Sequence, residues 1–271
     1  MGTKVNKLSR TDFLGRLNDL WNQTLETSKE HNPPFDLQIT KETGTKETGT
    51  KETGTKETGA KETGAKETGA KETGLTFPDI RDREAALERL WIHYEQLCQW
   101  NTRLSLIGPG TADEVVERHY WESVLGTCFL KSTDRMLVDI GSGGGFPGFV
   151  LSALVPSLQC VLVEPREKKW AFLKSAVRKA GLLSCRALNA RVEFPFSESL
   201  DLPDALDIVT SRALFLPRDV LAGLFDLYPD LRVLLWIGKE DVELPTSSKV
   251  NRSISLPGSD HRQIIEVVGL G

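Results

Sequence analysis

The chain has 271 residues, 39% of them hydrophobic and 27% charged, with a formal net charge of −4. That is enough apolar material for a substantial core, and the mild acidity excludes indiscriminate binding to polyanions. No run approaches the ~18 apolar residues of a membrane-spanning helix, and the opening Met1-Gly2-Thr3-Lys4 lacks an apolar leader. Asn6 stands where a myristoylation signal wants Ser or Thr. The expectation is a cytoplasmic protein with no membrane partner. Cys98, Cys128, Cys160 and Cys185 form no C-x-x-C, and His31, His93, His119 and His261 form no H-x-x-x-H, so no metal site is expected and the thiols should be free.

Within residues 1–40, Leu8, Phe13, Leu14, Leu17, Leu20, Trp21 and Leu25 recur at helical spacing and predict one amphipathic helix. From 41 to 74 the chain repeats Lys-Glu-Thr-Gly-Thr and then Lys-Glu-Thr-Gly-Ala. A period of five suits neither helix nor strand, and almost nothing apolar is present to offset ordering entropy, so this stretch reads as a polyampholyte linker. Its seven lysines and seven glutamates cancel, which assigns the net charge to the rest of the chain. Residues 75–132 read as a helical cap. The apolar face of a helix over Asp79 to Trp100 comprises Leu87, Leu90, Trp91, Tyr94, Leu97 and Cys98, and Thr111 with Glu114 predicts a capping box opening a third helix that runs to about Leu130.

Residues 133–271 alternate strand and helix. Leu137-Val138-Asp139-Ile140 is a short strand running into Gly141-Ser142-Gly143-Gly144-Gly145-Phe146-Pro147-Gly148. Glycines there leave no Cβ to hold a ligand away from the backbone. The next strand, Cys160 to Val163, closes on Glu164, where a βαβ unit presents an acid to ribose hydroxyls. Both features suit either NAD or S-adenosylmethionine. Asp139 separates them, because a carboxylate at the strand end repels a pyrophosphate and attracts the sulfonium and ammonium of S-adenosylmethionine.

A helix over Arg166 to Ala180, stopped by Gly181, comes next. Strands near Ser184 to Leu188 and Leu206 to Ser211, a helix from about Pro217, and strands at Arg232 to Ile237 and Gln263 to Val268 complete an open, mostly parallel sheet. Ligands gather at the carboxyl ends of such strands. Glu193, with Val192 as an apolar wall, is placed there to read the adenine edge, and Arg212 to engage a carboxylate or phosphate. Residues 164 to 191 hold eight basic side chains against Glu164 and Glu167, a candidate footprint for RNA phosphates.

The Asp-x-Gly-x-Gly-x-Gly arrangement resembles motif I of the class I methyltransferases. More specific still are Arg118-His119-Tyr120-Trp121-Glu122-Ser123, the Gly-Phe-Pro-Gly ending at Gly148, Lys168 to Leu173, Ala190-Arg191-Val192-Glu193 and Thr210-Ser211-Arg212-Ala213. Together these are similar to the RsmG (GidB) family of bacterial small-subunit ribosomal RNA guanine-N7 methyltransferases, over roughly residues 80 to 268. The resemblance implies a class I, Rossmann-like α/β methyltransferase with an N-terminal helical cap, S-adenosylmethionine as cofactor, and small-subunit ribosomal RNA or the assembling subunit as partner. By that resemblance Gly141, Phe146, Val192, Glu193 and Arg212 contact the cofactor, to which the reading of the residues adds Asp139, Gly143 and Glu164. RNA contacts are expected at Arg118, His119, Lys168 and Lys169, with Lys239 standing in for the family lysine that Ile237 replaces, and the protein is expected to be a monomer. The chain departs from the family at Ser105, Glu122 and Ile237, leaving the acceptor less constrained than the cofactor. Another methyl acceptor, or a non-catalytic adenosine- or RNA-binding module, are the alternatives. Guanine N7 already presents a lone pair, so no general base is assigned.

Overall fold

The computed structural model describes residues 5–29, 82–197, 200–212, 216–238 and 242–270. The expected linker at 41–74 and the candidate RNA contact Lys239 lie outside them. Among the described residues the helices are α1 (Arg10–Lys29), α2 (Arg83–Asn101), α3 (Glu122–Val124), α4 (Gly148–Leu154), α5 (Glu167–Lys179) and α6 (Arg218–Leu227). The strands are β1 (Met136–Ile140), β2 (Gln159–Val163), β3 (Cys185–Leu188), β4 (Ile208–Arg212), β5 (Arg232–Ile237), β6 (Ser248–Ser255) and β7 (Gln263–Gly269). They form one sheet in the order β3-β2-β1-β4-β5-β7-β6. Neighbours from β3 to β5 are parallel, and β7 runs antiparallel to both β5 and β6. This is the mostly parallel α/β sheet that the alternation predicts. β6 was not foreseen. As the outermost strand it buries little, and its sequence Ser-Lys-Val-Asn-Arg-Ser-Ile-Ser is correspondingly polar.

Strand alternation divides the core. Leu137, Leu162, Ile208 and Leu234 face α2, α4 and α5, while Val138, Val161, Val209 and Val233 face α6. The first of these clusters runs without a break from the sheet into the N-terminal helices: Phe13, Leu17, Leu90, Tyr94, Tyr120, Phe149 and Phe172 are all fully buried within it. Phe13 stacks on Tyr94 at 4.6 Å and meets Tyr120 edge-on at 5.0 Å. Burying a side chain of this size contributes roughly 1.5–3 kcal/mol, so α1 is held to the body by its apolar face. The cap and the sheet therefore share one core, with no break near residue 132.

The capping box expected at Thr111 and Glu114 does not form. Thr111 ends a 3-10 turn (Pro109–Thr111), its hydroxyl pairs with His119 Nε2 at 2.8 Å, and Glu114 pairs with Arg118 at 3.5 Å. The helical segment instead opens on a π turn (Val116–Trp121), passes through α3 and closes as a 3-10 turn (Leu125–Phe129). Wide π turns recur at functional sites, and this one carries Arg118 and His119. No described helix is long and apolar enough to cross a membrane.

Candidate functional site

At the end of β1 the chain turns sharply, with φ of +76° at Gly141, +52° at Gly143 and +89° at Gly145. These are left-handed values that strain any residue with a Cβ. The turn is pinned to β2, for the Gly141 and Ser142 amides donate to the Val163 carbonyl at 2.9 and 3.1 Å. Glu164 completes the clamp by accepting from Gly143 N at 3.0 Å through Oε2 and from Arg166 N at 2.9 Å through Oε1. Gly148 is required by close approach instead of by φ: a Cβ there would fall 2.5 Å from Asp139 Cβ and 2.6 Å from Leu162 Cδ2.

Over this turn lies a cavity of about 360 Å³ at the carboxyl ends of β1, β2 and β4. Gly141, Gly143, Phe146, Glu164 and Arg212 line it, as the sequence reading expects of a cofactor site. His119 and Lys169, assigned to RNA, open onto the same space, together with Arg166 and Arg191. Half-burial lowers the Lys169 pKa. Lys168 is exposed and does not line the cavity. Arg118 is engaged elsewhere, its Nε 3.3 Å from Glu122.

Three of the expected cofactor residues lie outside the lining of this cavity. Asp139 is fully buried and does not line the cavity. Its Oδ1 accepts from the Thr210 hydroxyl at 2.7 Å and its Oδ2 from Gly148 N at 3.3 Å. Burial pushes its pKa up to about 6, against the pull of these hydrogen bonds. The carboxylate thus ties β1 to β4 and to the start of α4, and it supports the turn from within the core. Val192 and Glu193 also stay outside the cavity lining. Val192 leans on the apolar cluster beneath α6, and the Glu193 side chain, 73% exposed, pairs with Arg191 at 3.5 Å.

Arg212 is held from behind. Its Nη2 donates to the Arg118 carbonyl and, at 2.6 Å, to Glu122 Oε2. Glu122, only 2% exposed, also meets Arg262 at 2.9 Å. One buried carboxylate therefore faces three guanidinium groups, of which Arg212 also lines the cavity. Burial lowers the Arg212 pKa, and its Nη1 is buried with no hydrogen-bond partner. An unpartnered buried donor of this kind is costly unless a ligand supplies the acceptor.

His93, which sequence reading passed over, underpins the turn. Its Nε2 lies 2.9 Å from the Gly144 carbonyl and its Nδ1 2.6 Å from the Tyr120 hydroxyl. A carbonyl only accepts, so Nε2 carries the proton and Nδ1 accepts from Tyr120. Burial brings the His93 pKa down to about 3, which keeps the ring neutral. The available signal was a polar residue on the apolar face of α2, between Leu90 and Leu97. Burial, with Arg212 and Arg118 nearby, also holds His119 well below its ordinary value.

Residues 86–227 match the family described as rRNA small subunit methyltransferase G (GidB). Relatives named Ribosomal RNA small subunit methyltransferase G include that of Syntrophus aciditrophicus, 36% identical over 147 residues, or 54% of this chain and 61% of the relative. The Paracoccus denitrificans protein of that name is 35% identical over 127 residues, 47% of this chain and 63% of the relative. That of Paramagnetospirillum magneticum is 38% identical over 138 residues, 51% of this chain and 62% of the relative. The chain thus spans about three fifths of the length of these relatives. The family match runs from α2 through α6 and takes in every glycine of the turn as well as Glu164 and Arg212, and on that match this chain belongs to the rRNA small subunit methyltransferase G (GidB) family.

Proposed function

We propose that this chain transfers a methyl group from S-adenosylmethionine to N7 of a guanine in small-subunit ribosomal RNA, as a monomer in the cytoplasm. The carrying observation is the glycine-floored cavity lined by both Glu164 and Arg212, the latter with its Nη1 buried and unpartnered. Arg212 suits the carboxylate of the donor, and Glu164 retains a free lone pair on each oxygen for ribose hydroxyls. The turn at Gly141 to Gly145 lets a ligand lie against main chain, and Phe146 offers an apolar wall. When bound, the donor supplies a methyl group on a positively charged sulfur.

The demands on the protein are then positional. Guanine N7 needs no deprotonation, so Arg212, Glu164 and the turn have only to hold the two reactants in line and exclude water. His119 is neutral in this environment and suits a hydrogen-bonding contact to a base at the mouth of the cavity. Lys169, Arg166 and Arg191 bring positive charge to that mouth, where an RNA backbone enters. Residues 41–74 serve as a linker outside this machinery.

Transfer of tritiated methyl from labelled S-adenosylmethionine to deproteinised small-subunit RNA and to intact small subunits tests the proposal, with N7 methylation mapped by borohydride and aniline cleavage. Label at a single guanine N7 is expected. Label on protein or small molecules alone, or donor binding without transfer to any acceptor, overturns it.

A further inference from the structure

α5 carries a second concave feature. A groove of about 540 Å³ lies between α5 and the edge strand β3, lined by Trp170, Lys174 and Arg178 from the helix and by Cys185, Arg186 and Ala187 from the strand. Trp170, Lys174 and Arg178 recur every four residues, which sets them on one stripe with about 6 Å between successive positions. The Trp170 ring is fixed, because its Nε1 donates to the Ala187 carbonyl at 3.1 Å, and Lys174 Nζ sits over it at 5.1 Å. Lys174 and Arg178 are exposed, and neither has a carboxylate within ion-pair distance among the described residues. Arg186 pairs with Asp201 at 3.0 Å, but both side chains are largely solvated, so that pair exchanges readily for another anion.

This stripe continues the positive charge of the cavity mouth, for Arg166 and Lys169, at the start of the same helix, line the donor cavity. In a chain of net charge −4, unpaired cations running from a catalytic cavity along one helix to a sheet edge match an extended polyanion, and a fixed aromatic ring beside them suits a base or sugar. An acidic protein would be matched by the cations alone and has no use for the ring or for continuity with the cavity.

We propose that the groove between α5 and β3 is a backbone track for the acceptor RNA, in which Lys174 and Arg178 hold phosphates of the strand whose guanine enters the cavity. This rests on the RNA methyltransferase reading above, and it adds a binding surface that the cavity does not include.

The test is the double charge reversal K174E/R178E in the full chain, compared with wild type for binding of deproteinised small-subunit RNA across a salt series and of S-adenosylmethionine by calorimetry. Neither residue lines the donor cavity, so donor affinity is expected to stay within about twofold. RNA affinity should fall at least tenfold at low salt, and losing two phosphate contacts should flatten the slope of log K against log salt by about 1.5. RNA affinity and slope equal to wild type overturn the proposal. So does weakened binding to intact small subunits with unchanged binding to deproteinised RNA, which would assign the groove to a ribosomal protein. A wild-type chain that binds and methylates RNA while the variant does so equally well defeats the groove alone. A wild-type chain that neither binds nor methylates RNA defeats the functional reading itself.

Discussion

Acidification should weaken this fold through His93, and the size of the effect follows from the site. A histidine in the unfolded chain titrates near 6.5, whereas burial between Gly144 and Tyr120 lowers the folded value to about 3. Between those values the unfolded chain binds a proton that the folded chain refuses, so stability fully present above pH 6.5 is lost as pH falls. For one group the loss is about 2 kcal/mol between pH 8 and pH 5, at roughly 1.4 kcal/mol per unit once protonation of the unfolded state is complete. Asp139 acts in the opposite sense. Its carboxyl is raised from 3.8 to about 6, so the folded state takes up a proton first and recovers about 1.4 kcal/mol over the same interval. His119, also lowered by burial, adds to the loss. The assay is urea unfolding at intervals from pH 8 to pH 5 for wild type and His93→Gln. Gln can still donate to the Gly144 carbonyl but does not titrate, so the gap between the two stability profiles should narrow by about 2 kcal/mol on going to pH 5. Profiles that stay parallel within about 0.5 kcal/mol would refute the assignment of His93 as a neutral, buried support of the turn.

Arg212→Gln should weaken S-adenosylmethionine binding about tenfold or more in calorimetry, the scale of a lost charge-assisted hydrogen bond, while thermal unfolding shifts little because Glu122 keeps Arg118 and Arg262 as partners. Unchanged affinity would remove Arg212 from the site. Gly148→Ala should destabilise the protein by about 1–3 kcal/mol in urea unfolding, since its Cβ would sit 2.5 Å from Asp139 Cβ and 2.6 Å from Leu162 Cδ2, both in the packed sheet. A cost below about 0.5 kcal/mol would show that α4 can move away from β1 freely.

Much of this protein was legible in one dimension. Signals that act within a few residues survived intact: the strand and glycine turn at Leu137 to Gly148, α5 with its stop at Gly181, β5 with both ends at Arg232 and Ile237, and the acid closing β2 at Glu164. The Thr111 and Glu114 capping box was a local signal that failed, because His119, eight residues on, took the Thr111 hydroxyl. What a side chain faces is a different matter, since it depends on register and on segments distant in the chain. Asp139 was read as a ligand group, yet the register of β1 against β4 puts Thr210, 71 residues away, against it and its full burial keeps it out of the cavity lining. His93 matters only because α2 packs beneath a carbonyl 51 residues downstream. Glu193 follows its strand at the expected place, but its side chain is largely solvated and pairs with Arg191. Backbone propensity and hydrophobic period settle which elements exist and where ligands gather. Long-range packing, in which a buried carboxylate or imidazole must find partners wherever the fold supplies them, decides which of the residues gathered there meet the ligand and which hold the others in place.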